Sequence, residues 1–203
     1  MMAAPLAPVS ANFFWKQPDF SGPPVRGDEP GVSAAPLPGA TPAELRAMVV
    51  WNLRSALNVA ALQCQFDPTL LTRNQYNHML DNHKAELAAA YQTLSGYFTR
   101  RHKKAGASHL DAYGTRTYSS FSAVGLPQFN FCATAARIGR EALFARRGQL
   151  HLVAEQRLTT LRNSLTRRLA EQQFTYAPPY FTPLPVPLEE ACRKKGRNGR
   201  CRT

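Results

Sequence analysis

Between Thr72 and Arg101, apolar and aromatic residues return every three or four positions: Tyr76, Leu80, His83, Leu87, Tyr91, Leu94 and Phe98. That spacing places all seven on one stripe of a single α-helix. Thr72 with Gln75 three residues later reads as a capping box for its start. Arg100, Arg101, Lys103 and Lys104 suit its negative end. At ~1.5 Å per residue this helix would run roughly 45 Å, more than one short partner can cover. Several helices must therefore dock on it.

The rest of the chain supplies them. Thr41-Pro42-Ala43-Glu44 opens an earlier helix with a cap, a first-turn proline and a capping-box glutamate. Leu45, Val49, Leu53, Leu57, Ala60 and Cys64 form its stripe. Downstream, Ser108 and Asp111 lead a weaker helix through Leu110, Tyr113, Thr117 and Phe121. Two more carry Phe129, Cys132, Ala136, Gly139 and Leu143, then Ala154, Leu158, Leu161, Leu165 and Leu169. Strand-like alternation of useful length is absent, as is any repeat. The fold class is therefore all-α: a single helical bundle-like domain of four to five helices with extended, Pro-rich arms at both ends.

Proline sets the boundaries. Most of the 16 prolines lie before Pro42 or after Ala177, which divides the chain into an arm over 1–40, a helical domain over 41–175 and a tail over 176–203. Within the first arm, residues 1–11 read as a signal-peptide remnant, because Val9-Ser10-Ala11 has the small-x-small form of a cleavage site. Phe13, Phe14, Trp15 and Phe20 follow, too many bulky rings for an unpacked tail, and are expected to lie on the helical body. Tyr176 opens a polyproline-II-like run that ends in basic residues.

Charge and cysteines narrow the function. The formal charge is +12, and Arg193, Lys194, Lys195, Arg197, Arg200 and Arg202 concentrate six cations in the last eleven residues. This tail can attract nucleic acid or anionic lipid without sequence discrimination and with a steep salt dependence. No apolar run approaches the ~20 residues of a membrane-spanning helix. Cys64 and Cys132 fall on helix stripes and can meet across the core; Cys192 and Cys201 can close a basic loop. Two such disulfides suit an exported protein, periplasmic or secreted.

Chemistry is sparse. Neither CxxC nor HExxH occurs, and no GxSxG elbow or phosphate loop is found, so neither metal nor cofactor is implied. His83 is the unusual member of the long stripe, and a buried histidine needs polar partners. Asp111, Tyr113 and Arg116 are the ones the sequence offers. A catalytic arrangement of His83 with Asp111 and Arg116 is one reading, and a core histidine that fixes helix register is the plainer one. The leading expectation is an exported, non-enzymatic helical protein with an interaction or structural role in the cell envelope, its partner a protein or an anionic envelope component. A basic, cytoplasmic nucleic-acid-binding protein is the alternative, and a small hydrolase or transferase around His83 the third.

Overall fold

The computed structural model describes residues 18–166, without the side chain of Leu126. Residues 1–11, the rings of Phe13, Phe14 and Trp15, and the end of the last helix at Leu169 lie outside the described residues. So do the proline-rich run, the pair Cys192 and Cys201, and the six tail cations. Among the described residues there is no strand. Six α-helices follow in order: α1 Pro42–Gln63, α2 Thr72–Asn82, α3 Lys84–His102, α4 Gly106–Ser119, α5 Leu126–Phe144 and α6 Leu150–Ser164. Short 3-10 turns occupy Pro68–Leu70 and Lys103–Ala105.

The centre is α1, not the longer run after it. From Ala47 to Ala61 every residue of α1 is buried except Trp51, Arg54 and Asn58. All five other helices pack against it. Such a helix must be apolar nearly all round, and Met48, Val49, Val50, Leu53, Ala56, Leu57 and Ala60 make it so. Its start is the capping box read from sequence: Glu44 donates its N–H to Thr41 Oγ1 at 3.3 Å, and Thr41 donates its own to Glu44 Oε2 at 2.7 Å.

One polar side chain is buried deep in this helix. Asn52 donates through Nδ2 to the Met48 carbonyl at 2.9 Å and to Tyr113 Oη at 2.8 Å, and its Oδ1 accepts from Arg162 Nη2 at 3.1 Å. Arg162 also donates to the carbonyl of Val32 and to the carbonyl and hydroxyl of Ser120, and its guanidinium lies 3.8 Å from the Phe121 ring centre. Burial lowers the Arg162 pKa to about 10, against a smaller opposing pull from Tyr113. All these acceptors are neutral, so one arginine ties the N-terminal segment, α1 and the end of α4 to α6 by direction rather than by ion pairing.

The run read as one long helix is broken. His83, with φ −111° and ψ 20°, ends α2 and begins α3. A straight rod of that length cannot follow a compact body, and the break lets α2 lie on α5 while α3 lies on α1 and α4. Leu87, Leu94 and Phe98 are buried as expected, but Leu80 is only half-buried and Tyr91 is 47% exposed. The expected Thr72–Gln75 capping box is also replaced. Leu71, in the left-handed region at φ 55°, precedes α2, and Gln75 donates instead to the Leu70 carbonyl. Likewise α4 starts at Gly106, before Ser108, and Ser108 makes no cap.

Residues 18–40 pack on the helices. Phe20, Val25, Val32 and Leu37 are buried. The segment is pinned by Val25 N–H to the Glu155 carbonyl at 2.8 Å and by Tyr97 Oη to the Pro38 carbonyl at 3.0 Å. Gly27 (φ 112°) approaches α1 so closely that a Cβ would lie 3.0 Å from the Leu45 carbonyl oxygen.

Cys64 and Cys132 are bonded, with Cα atoms 5.5 Å apart, and join the end of α1 to α5. Closing a loop of 68 residues restricts the unfolded chain by about 4 kcal/mol in the chain-entropy treatment. The double variant Cys64→Ser, Cys132→Ser should therefore unfold at markedly lower urea, with a loss of up to about 4 kcal/mol. An unchanged midpoint would show that the bond adds nothing to packing already complete.

Candidate binding groove

Three half-buried positions interrupt the buried run of α1 between Ala47 and Ala61. Trp51, Arg54 and Asn58 follow each other by three and four residues, and the exposed Leu62 continues the line. Over the first of them a surface site is built. The rings of Trp51 and Tyr91 lie 5.2 Å apart at 42°. Arg54 sits with its guanidinium carbon 4.7 Å from the Trp51 ring centre and donates to the hydroxyl of Tyr118. A cation over an aromatic face is attracted by the ring quadrupole and holds the ring in place.

This aromatic ridge separates two hollows. One, of about 310 Å³, runs between α3 and α4, with Trp51, Tyr91 and Tyr118 as aromatic walls and Ser95, Thr99, Thr115 and Asp111 as polar ones. The other, of about 470 Å³, lies on the far side over Leu80, Asp81, Lys84 and Leu87. The width of the first depends on Gly106. A Cβ there would stand 2.8 Å from the Thr99 Cα, so only glycine lets α4 turn back so tightly along α3. Beside that corner the imidazoles of His102 and His109 stack at 3.6 Å. Desolvation, then the charges of His109 and Arg101, lower the His102 pKa. The basic cluster read from sequence is partly spent here, since Arg100 Nη2 contacts both oxygens of Glu44 at 2.7 and 2.8 Å.

The three catalytic candidates do not converge. Asp111 is an exposed wall of the groove, and Arg116 is exposed on α4. His83 is 1% exposed at the α2–α3 junction. Its expected partners Asp111, Tyr113 and Arg116 are replaced. Nε2 meets the Ala142 carbonyl at 2.9 Å, and Nδ1 lies 3.8 Å from Glu86 Oε2. The reason is register: α4, doubling back on α3, brings residues 107–118 beside 91–99, two turns away from His83.

What surrounds His83 is a clamp on the α5–α6 turn. Asn82 Nδ2 donates to the Leu143 carbonyl, so two carbonyls of the last turn of α5 find partners at the junction. Glu86 accepts the N–H groups of Leu150 and His151 at 3.0 and 2.9 Å and contacts His151 Nδ1 at 3.0 Å. A carboxylate from α3 thus caps the positive end of α6. The junction is held through partners that sequence spacing could not supply.

Sequence reasoning missed Trp51, Arg54, Tyr91 and Tyr118 as a group. Tyr91 was placed in the core, and Trp51 lies off the α1 stripe; that off-stripe tryptophan beside an arginine was the signal. Compared with protein-family models, with curated proteins and with solved structures, the chain shows no match.

Because Glu86 holds α6 and does not line the groove, Glu86→Ala should lower the unfolding free energy by about 1–3 kcal/mol. Ligand affinity at the groove should be unchanged. Urea denaturation and titration of the same variant check both; lost affinity with unaltered stability would point to a binding role.

Proposed function

We propose that the protein is an exported, non-enzymatic helical module of the cell envelope, periplasmic or secreted, and that the Trp51–Tyr91 groove holds its partner. The observation that carries this reading is the aromatic ridge on the half-buried line of Trp51 and Arg54 along α1. A ring pair braced by Arg54 offers flat apolar faces, and the hydroxyls of Ser95, Thr99 and Thr115 with the Asp111 carboxylate offer hydrogen-bonding groups along one side. Apolar walls with a few convergent polar groups suit a small or chain-like ligand. A polyhydroxylated chain fits best: sugar C–H groups lie against aromatic faces while hydroxyls donate to Asp111 and exchange hydrogen bonds with the serine and threonines. Export is supported by the disulfide between Cys64 and Cys132, since such bonds persist in oxidising compartments.

The chain holds two tryptophans, so Trp15→Phe leaves Trp51 as the sole indole. Titrated with β-1,4-linked N-acetylglucosamine oligomers, this variant should show a saturable change in emission. Asp111→Asn, which keeps the shape but removes the charge, should weaken binding about tenfold. A flat titration, or equal affinity after Trp51→Ala measured by calorimetry, would reject the groove as the glycan site.

A further inference from the structure

The outward face of α5 departs from the pattern of a solvated helix. Phe129, Ala133, Arg137, Arg140 and Phe144 are all exposed, and at 100° per residue they fall within an arc of about 80°. Phe129 is 56% exposed and Phe144 is 78% exposed. Phe129 was expected on the core face of this helix, but Phe131, Cys132, Ala135 and Ile138 are the residues that fill the core. The stripe contains no carboxylate; Glu141 stands at its edge, bridged to Arg137 at 3.2 Å and to Arg157 at 2.7 Å. Arg146 and Arg147, both exposed, follow Phe144 after Ala145.

The apolar surface continues past the helix N-terminus. Phe66, 50% exposed, meets Phe129 edge-on with ring centres 5.0 Å apart. Val124, in the turn before α5, is exposed as well. The segments carrying these residues are held together by the Cys64–Cys132 bond and by Gln128 Nε2 donating to the Gln63 carbonyl at 3.2 Å. The patch is therefore a fixed part of the fold, not a loose turn.

We infer that this face, α5 with the apolar end at Phe66 and Val124, docks on the surface of a bilayer containing anionic lipid, with the helix axis in the membrane plane. Phenylalanines interleaved with arginines on one helical face are what an interfacial helix presents: rings reach the headgroup–acyl boundary and guanidiniums reach the phosphates. Long arginine stems let the charge stay at headgroup level while the rings go deeper. Charge complementarity selects the anionic surface: Arg137 and Arg140 lie on the stripe, and the exposed Arg146 and Arg147 follow in the next turn. Against them stand Glu141 at its edge and Asp19 and Asp67, which line one hollow with Phe66, Phe129, Arg137 and Arg140. The inference stands or falls independently of the glycan groove, which lies over α1, α3 and α4.

The test uses the full chain. With Trp15 and Trp51 changed to Phe, Phe144→Trp places the sole indole on the face. Its emission should shift to the blue with phosphatidylglycerol–phosphatidylcholine vesicles and stay unshifted with phosphatidylcholine alone. Arg137→Gln with Arg140→Gln should weaken partitioning about 30-fold, at roughly one charge interaction each. Phe129→Ser with Phe144→Ser should weaken it at least as much while circular dichroism stays unchanged. Changing the six tail cations to Gln separates tail adsorption from face docking. If that alone abolished binding, or if the indole never shifted when vesicles bound, the inference would be overturned. It would equally fall if the indole were already blue-shifted without lipid, since residues 12–17 or another part of the chain would then cover the face.

Discussion

Everything in this fold follows from enclosing α1. A helix with only Trp51, Arg54 and Asn58 partly open along four turns needs neighbours on almost every side. Five helices and the segment over residues 18–40 provide them. Enclosure also imposes a cost on the polar groups inside. Asn52 has no access to water, and it becomes tolerable because Met48, Tyr113 and Arg162 use its amide and oxygen together. Arg162 in turn meets its need for acceptors from three separate segments. Burial raises the Tyr113 pKa, partly offset by hydrogen bonds from its neighbours, which keeps the phenol neutral within the network. Removal of Asn52 or Arg162 would take one buried hydrogen-bond partner from the other.

The same constraint explains the break at His83. A single rod could cover α1 or reach α5, but not both, so the chain bends at His83, whose ring meets a carbonyl at the end of α5. Glu86, one turn on, then fixes α6. The turn between α5 and α6 is thereby set by side chains from an earlier part of the chain, and this determines how the outward face of α5 is presented. Packing, junction and surface are one problem. The aromatic ridge is where the enclosure is left open.

Much of this was legible in the sequence because it is local. Thr41 with Glu44 specified the start of α1, and the stripe residues Leu53, Leu57, Ala60 and Cys64 are buried. The bond between Cys64 and Cys132 followed from two helix stripes meeting. What was illegible is nonlocal. His83 looked like one more stripe position because spacing alone cannot see that α5 ends beside it. Tyr91 kept perfect periodicity yet faces out, because the buried face of α3 is centred on Ala90, Leu94 and Tyr97 and leaves Tyr91 at its edge. Phe129 reads as inward because α5 is apolar on two faces, and only the neighbours decide which is covered. The role of Gly106, admitting α4 against Thr99, depends on a contact seen only in three dimensions.

The bond between the end of α1 and α5 links stability to compartment. It holds together the segments that carry Leu62, Phe66, Val124 and Phe129, and a reducing cytosol would keep the same thiols apart. The most direct measurement is therefore the redox state of Cys64 and Cys132 in the cells that make the protein, trapped by acid quenching and read by maleimide mass-shift with peptide mapping. An intact bond in protein recovered from the envelope or medium is the predicted result. Both thiols free and labelled, in protein confined to the cytosol, would contradict export and with it the proposed place of the molecule.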